Sequence, residues 1–131
     1  MTEEDKELVL KDLCARLPYG VIVRATYLSF TEDKLETRDI ELTYYNAGYL
    51  DDHWIEAKPY LRPMSNMTDE ERNEYLSIKM QETERVALAE VYRPEAISEI
   101  MDWLNKHHFD YRGLIEKGLA LETTEGMYKI N

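Results

Sequence analysis

The chain has 131 residues, of which 44% are hydrophobic and 33% charged, and its formal net charge is −11 at pH 7. This length suits one hydrophobic core, and five glycines and four prolines are too few for a fibrous or largely disordered chain. The negative charge repels a polyanion, which disfavours direct binding to nucleic acid. We therefore expect a single domain over residues 1–131 that does not bind nucleic acid.

The cellular location and the cysteine content are also constrained. The N-terminal sequence MTEEDKE is acidic where a secretory signal would be basic. No apolar run approaches the roughly 18 residues that a membrane span requires. Cys14 is the only cysteine, so an internal disulfide is excluded, and its apolar neighbours predict a small buried thiol. We expect a cytoplasmic protein without membrane contact.

The first predicted element is an amphipathic helix. Thr2 and Asp5 match a helix-start pattern, in which a side-chain oxygen accepts from an exposed backbone amide. Pro18 and Gly20 end the helix, because proline disfavours helical geometry before it and glycine permits the turn. The predicted apolar stripe of this helix consists of Leu10, Leu13, Cys14 and Leu17.

Three strands are predicted next. The run VIVRATYLSF at 21–30 is rich in β-branched and aromatic residues, and the turn sequence TEDK follows it. Ile40 and Leu42 then alternate with polar residues, which is typical of a strand with one buried face. The connection is too short for a crossover, so these two strands should pair antiparallel. A third strand at 54–58 would complete a three-stranded meander.

A connector and two helices follow. Pro59 and Pro63 indicate an extended surface segment, because proline suits neither a helix interior nor a central strand. Thr68 and Glu71 match a capping box that starts a helix, and Pro94 starts another. The predicted stripe of the first helix includes Leu76, Met80, Ala87 and Val91, with Tyr75 and Ile78 to the side, and that of the second comprises Ile97, Ile100, Met101 and Leu104.

The C-terminal part completes the predicted architecture. Asp110 can cap a short helix that ends at Gly118, and 119–121 either forms a last strand or is pinned to the core. We predict an α+β fold with a small antiparallel sheet. This sheet packs with an N-terminal helix and two or three C-terminal helices on one face. The opposite face is then partly wet, and its candidate tyrosines for a dimer or peptide surface are Tyr27, Tyr45 and Tyr49.

Three blocks of sequence resemble a known group of proteins. They are KDLCARLPYGVIV at 11–23, KPYLRPMSNMTDEE at 58–71 and WLNKHHFDYRGLIEKGLALE at 103–122. In this order they are similar to a family of short acidic proteins from gut bacterial genomes and their prophages, to which no activity is assigned. The resemblance implies a small bacterial or phage-encoded cytoplasmic protein, and it implies no reaction, substrate, cofactor or site residue.

Four residues are the predicted contacts with another molecule. Tyr60, Arg62, Tyr111 and Arg112 lie in predicted extended or turn segments, and tyrosine and arginine contribute much of the binding energy at interfaces. An internal role is the alternative. In that case Arg62 or Arg112 pairs with an acidic group and ties the proline-rich connector to the C-terminal turn.

Catalytic and metal-binding patterns are weak. His107, His108 and Asp110 suggest a metal site, with His53 as a remote ligand, but adjacent histidines do not share one helix face as residues four apart do. The acids Asp51, Asp52 and Glu56 supply material for acid–base chemistry without a defined geometry. No nucleophile motif or phosphate-binding loop is present. We therefore predict no catalytic residue, no metal ligand and no cofactor.

The preferred hypothesis is a non-enzymatic accessory or protein-interaction module that binds a protein partner or itself as a homodimer. Two alternatives stay open. An acidic mimic of nucleic acid would bind a host nuclease or regulator through a continuous stripe of carboxylates. A metal-assisted enzyme would hold its metal through His107 or His108.

Overall fold

In the described chain, one helix is followed by three strands, two further helices and a short fourth strand, and the strands form one small sheet. The computed structural model describes residues 2–29, 34–43, 47, 54–89 and 94–128, and only the backbone of 82–89 and 94–98. The predicted α+β class is confirmed. Two single turns of 3-10 helix lie at Leu17–Tyr19 and Met64–Asn66. The main elements are α1 (Glu3–Arg16), β1 (Ile22–Leu28), β2 (Leu35–Glu41), β3 (Trp54–Leu61), α2 (Asp69–Ala89), α3 (Pro94–Lys106) and β4 (Leu121–Glu122).

The sheet has the strand order β2-β1-β3-β4, with β1 in its interior. β1 pairs antiparallel with both β2 and β3, so the predicted pairing of the first two strands is confirmed. The third strand returns beside the first, however, and the predicted meander order is wrong. Val23 and Ala25 of β1 are fully buried, whereas β2 is mostly exposed and charged, as suits an edge strand.

β3 continues through a proline that was predicted to lie in a connector. Pro59 is opposite Val23 of β1 and is buried. The Leu61 carbonyl accepts from the Thr123 amide on the β4 side, and strand residues two apart direct their backbone groups to the same edge. The Pro59 nitrogen therefore faces away from β1, where a missing N–H costs no ladder bond.

The two faces of the sheet differ from the prediction at one tyrosine. Ile40 is half-buried and Leu42 buried, as predicted. Tyr27 was expected on the wet face, yet it packs against the main core cluster, because it shares a face with Val23 and Ala25. Tyr45 and Tyr49 lie outside the described residues.

α1 begins as predicted and buries only part of the predicted stripe, since Leu13 is buried and Leu17 packs against the main core cluster. The Thr2 hydroxyl accepts from the Asp5 amide, and the Asp5 carboxylate accepts from the Thr2 amide, which completes a capping box. The predicted buried thiol is wrong, because Cys14 is exposed. Leu10 is also 36% exposed, and the buried residues of the helix are Val9, Asp12, Leu13 and Arg16. An internal ion pair thus takes the place of part of the expected stripe.

α2 and α3 pack on each other beside the second core cluster. The predicted capping box is confirmed, since the Glu71 amide donates to the Thr68 hydroxyl at 3.1 Å. Tyr75 and Ile78, rather than the predicted Leu76 and Met80, face this cluster. The buried members of the cluster are Trp103, Leu104 and Phe109.

The C-terminal segment packs against the sheet through turns and one short strand. The Asp110 carboxylate accepts from the amides of Leu114 and Ile115 at 2.9 and 3.0 Å, but the residues it caps form turns rather than a helix. Gly118 has φ +75°, as the prediction of a left-handed residue requires. β4 runs parallel to β3, which makes the sheet mixed. Within the described residues, no helix is long and apolar enough to cross a membrane.

Candidate functional site

We call the turn at 107–110 the C-terminal turn. Two of the four predicted contact residues lie in β3 and the segment that pairs with this turn, and the other two follow it in sequence. Tyr60 and Arg62, at the end of β3 and just after it, are buried, with 4% and 8% of their surface exposed. Tyr111 and Arg112 follow the turn and are half-buried. Each of the four side chains forms at least one hydrogen bond within the chain. Their contact with a partner stays a prediction, whereas the predicted internal ion pairs of the two arginines are confirmed.

Arg62 joins three segments of the chain. Its guanidinium donates to both oxygens of the Glu71 carboxylate at 2.7 Å and lies 4.2 Å from the centre of the Phe109 ring. Its backbone pairs with the turn, since its amide donates to the His108 carbonyl at 2.7 Å. The hydrogen bonds from Arg62 hold the pKa of Glu71 down to about 2. Glu71 is therefore ionised throughout the physiological range.

A second buried network connects α1 to the turn. Asp12 accepts from Arg16 at 2.8 Å and from Arg112 at 3.1 Å, and both Asp12 and Arg16 are fully buried. Arg16 also donates to the Phe109 carbonyl at 2.7 Å. The Tyr111 ring lies within 5.2 Å of both guanidiniums. These contacts explain why Asp12 and Arg16, rather than Leu10, face the interior of the protein.

Tyr128 closes the sheet at the end of the β1–β3 ladder. Its hydroxyl accepts from the Ile22 amide and donates to the Tyr60 carbonyl, each at 2.8 Å. Burial raises the pKa of Tyr128 to about 12, so the hydroxyl keeps its proton. The phenol thus bridges backbone groups of two neighbouring strands.

The two adjacent histidines have different neighbours. His107 packs on Trp103 at 4.4 Å, and its Nδ1 lies 3.5 Å from Glu71, whereas His108 stacks on Tyr128 at 3.6 Å. Burial lowers the pKa of both, that of His108 to about 4. In the part of the chain that is described, no group of three His, Cys, Asp or Glu side chains is placed to hold a metal ion.

The candidate acids have local partners or lie beyond the described chain. The Glu56 carboxylate lies 3.3 Å from the Lys58 ammonium on the sheet. The Asp110 carboxylate caps the turns that follow it by accepting from the Leu114 amide. Asp51, Asp52 and His53 lie outside the described residues. Further acids of the outer sheet face alternate with cations, as where Arg24 approaches Asp39 at 3.5 Å. On the described part of this face the acids therefore lie beside cations, and the continuous acidic stripe of a nucleic-acid mimic stays a prediction.

One end of the sheet exposes large apolar side chains, and we call this end the sheet tip. Leu28 and Leu35 are 48% and 64% exposed and lie directly opposite each other in the β1–β2 ladder. Ile55, 56% exposed, lies near the same end of β3 where the β1–β3 register shifts. The opposed leucines form a cross-strand apolar pair in contact with solvent.

A groove separates α1 from the start of β3, and we call it the α1–β3 groove. Its volume is about 350 Å³, and it lies between Glu3, Lys6, Glu7 and Leu10 of the helix and Trp54–Ala57 of the strand. Its exposed apolar groups include Leu10 and Ile55. The groove was not predicted from the sequence. The adjacent apolar residues Trp54 and Ile55 were an available signal, because a strand with one buried face alternates instead.

Comparisons with known proteins add no relative. Neither a protein-family model, nor a curated protein, nor a solved structure matches this chain.

Proposed function

We propose that the protein is a non-enzymatic accessory or protein-interaction module of bacterial or prophage origin. The observation that carries the proposal is the sheet tip, where Leu28, Leu35 and Ile55 are each about half exposed or more. Leu28 and Leu35 are direct cross-strand neighbours, and adjoining exposed apolar side chains mark interaction sites more often than isolated ones do. The origin rests on the resemblance of the three sequence blocks described above.

The buried polar residues support a structural role for the groups that would otherwise suggest chemistry. Asp12, Arg16, Arg62 and Glu71 are buried in two ion-pair networks that connect chain segments. A catalytic acid or base requires access to a substrate and a proton. These networks instead hold the sheet, α1 and the C-terminal turn together. The sheet tip and the α1–β3 groove lie outside the networks and are the surfaces proposed for a partner.

Capture from a bacterial lysate combined with sedimentation tests the proposal. We expect immobilised wild-type protein to retain a stoichiometric partner, or the free protein to dimerise at micromolar concentration. Leu35→Glu should weaken either association, because it places a charge in an apolar contact. Leu76→Glu on α2, where the leucine is 45% exposed, is the matched control. A monomer that retains no partner, or equal loss in both variants, would contradict the proposal.

A further inference from the structure

β3 has an edge that its neighbours cover only in part. β4 pairs with Tyr60 and Leu61 alone. The Leu61 carbonyl accepts from the Thr123 amide on this edge. Backbone groups along a strand face alternate edges, so the N–H and C=O of Ala57, four residues before Leu61, face the same edge. Among the described residues, no strand pairs with this edge before Tyr60. An extended segment of another chain can bond to such an edge.

The α1–β3 groove lies along this edge. α1 forms its other wall, and the volume of about 350 Å³ contains solvent-exposed parts of Leu10 and Ile55. A helix beside a strand edge offers both elements of strand addition. The edge supplies main-chain hydrogen bonds, and the space against the helix receives alternate side chains of the added strand.

The charge of the groove selects its occupant. Among the described residues, Glu3, Glu7, Glu56 and Lys6 are the charged side chains that line it, and Lys58 lies 3.3 Å from Glu56. Lys6 lies 3.7 Å from Glu3 in an exposed pair, and such pairs are readily exchanged for new partners. A second copy of this chain would bring a net charge of −11 toward an acidic groove, which disfavours self-pairing here.

We infer that the α1–β3 groove binds an extended, basic and apolar segment of a partner protein, which adds as a strand to the outer edge of β3. One apolar side chain of the segment contacts Leu10 and Ile55. Its basic side chains lie near Glu7 and Glu56. This inference rests on the proposed interaction function and specifies the mode of binding and the class of partner.

Synthetic peptides test the inference directly. The probes are acetylated heptapeptides in which Lys alternates with Val, Leu, Phe or Tyr, and a matched set in which Glu replaces Lys. Titrations follow the backbone amide resonances of the ¹⁵N-labelled full chain. We expect saturable binding of a Lys peptide, with the largest shifts at 54–58 and along the first turns of α1. The corresponding Glu peptide should bind at least about tenfold more weakly, because the groove is acidic.

Ala57→Pro separates strand addition from other modes of contact. It removes an N–H on the outer edge of β3, where proline is tolerated, and leaves the β1 ladder intact. We expect at least about a tenfold loss of peptide affinity with an unchanged circular dichroism spectrum. Leu76→Glu on α2, which lies outside both the groove and the sheet tip, is the control and should leave the affinity within about twofold. If Ala57→Pro does not fold, the double variant Glu7→Lys/Glu56→Lys provides the same test through charge.

Several outcomes would overturn the inference. They are no saturable binding of any Lys peptide, equal affinity in wild type and the groove variants, shifts centred away from β3, or a dimer that Ala57→Pro dissociates. A lysate partner that the groove variants still retain would reject this mode and leave the interaction function intact. Failure of both the peptide and the lysate experiments would reject the two together.

Discussion

At the scale of single residues, several charged side chains of this protein are buried and form ion pairs. Arginine and glutamate are usually exposed, yet Arg16, Arg62 and Glu71 are buried here. Each is paired through hydrogen bonds at 2.7 or 2.8 Å. Removing one member of such a pair leaves a buried charge without its partner. Substitutions at these positions should therefore lower the free energy of unfolding more than substitutions of exposed acids on the same elements.

Glu71 should make stability sensitive to acid. Its folded pKa of about 2 lies below the ordinary value of 4.5, so its contribution is complete above pH 4.5 and is lost as the pH falls toward 2. We expect Glu71→Gln to reduce the free energy of unfolding at pH 7 by about 3 kcal/mol, a difference that shrinks across this window. Urea unfolding of wild type and variant at several pH values measures it.

The matched control for Glu71 is Glu70→Gln. Glu70 lies in the same first turn of α2 and is exposed. Its replacement should alter stability far less than that of Glu71. Equal effects in the two variants at pH 7 would contradict the structural role assigned to the pair of Glu71 with Arg62.

His108 should make the free energy of unfolding depend on pH in a different range. Its imidazole is buried against Tyr128, its Nδ1 has no hydrogen-bond partner within the described residues, and its folded pKa is about 4. The unfolded chain binds the proton near pH 6.5, so stability falls as the pH decreases from about 6.5 to about 4, by about 3 kcal/mol in total. The imidazole resonance should titrate near pH 4 in NMR spectra.

His108→Asn removes this titration and retains a residue that tolerates positive φ, which is +63° at this position. The variant should lose the corresponding slope in a plot of stability against pH. An imidazole that titrates near pH 6.5 in the folded wild type would show that His108 is not held neutral by burial.

At the scale of elements, contacts from the C-terminal turn decide which faces are buried. The Asp12–Arg16 pair lies inward because Arg112 and the Phe109 carbonyl lie against it. The three sequence blocks at 11–23, 58–71 and 103–122 meet through these contacts and through Arg62. The blocks thus form a connected structural unit, whereas the residues exposed at the sheet tip lie outside them.

Tyr128 provides a test of how the last segment supports the sheet. Tyr128→Phe deletes the hydroxyl that bridges the Ile22 amide and the Tyr60 carbonyl and leaves both partners unsatisfied. We expect a loss of roughly 1–3 kcal/mol in the free energy of unfolding, measured by urea titration. Tyr75→Phe is the control, because Tyr75 lies on α2 and its ring packs against Trp103 rather than between the strands of the sheet. A loss no larger than in the control would exclude the bridging role.

At the scale of the whole molecule, two apolar clusters share one framework. Val23, Leu13 and Leu114 belong to the main cluster, and Trp103 and Phe109 belong to the second. The strand-like pairing of Arg62 with the turn around Phe109 joins them. The single domain predicted from length therefore implies that both clusters lose their structure in one transition.

The two tryptophans report on the two clusters separately. Trp54 packs against the main cluster and Trp103 lies in the second. In Trp54→Phe the remaining fluorescence comes from Trp103, and in Trp103→Phe it comes from Trp54. In each variant we expect the fluorescence transition in urea to coincide with the far-ultraviolet circular dichroism transition of the same variant. Fluorescence of Trp103 that changes at lower urea than the dichroism would indicate that α2 and α3 unfold first.

The amino-acid sequence by itself determined the class of fold, both capping boxes, the antiparallel pairing of the first two strands and the start of α3 at Pro94. These features depend on residues near one another in the chain, whose propensities and hydrogen bonds are local. The strand order, the buried Asp12–Arg16 pair, the exposure of Cys14 and the α1–β3 groove were decided by the tertiary structure alone. Each depends on contacts between segments distant in sequence, such as Arg16 and Phe109, which are 93 positions apart. The periodicity of apolar residues along one segment does not show which distant segment packs against it.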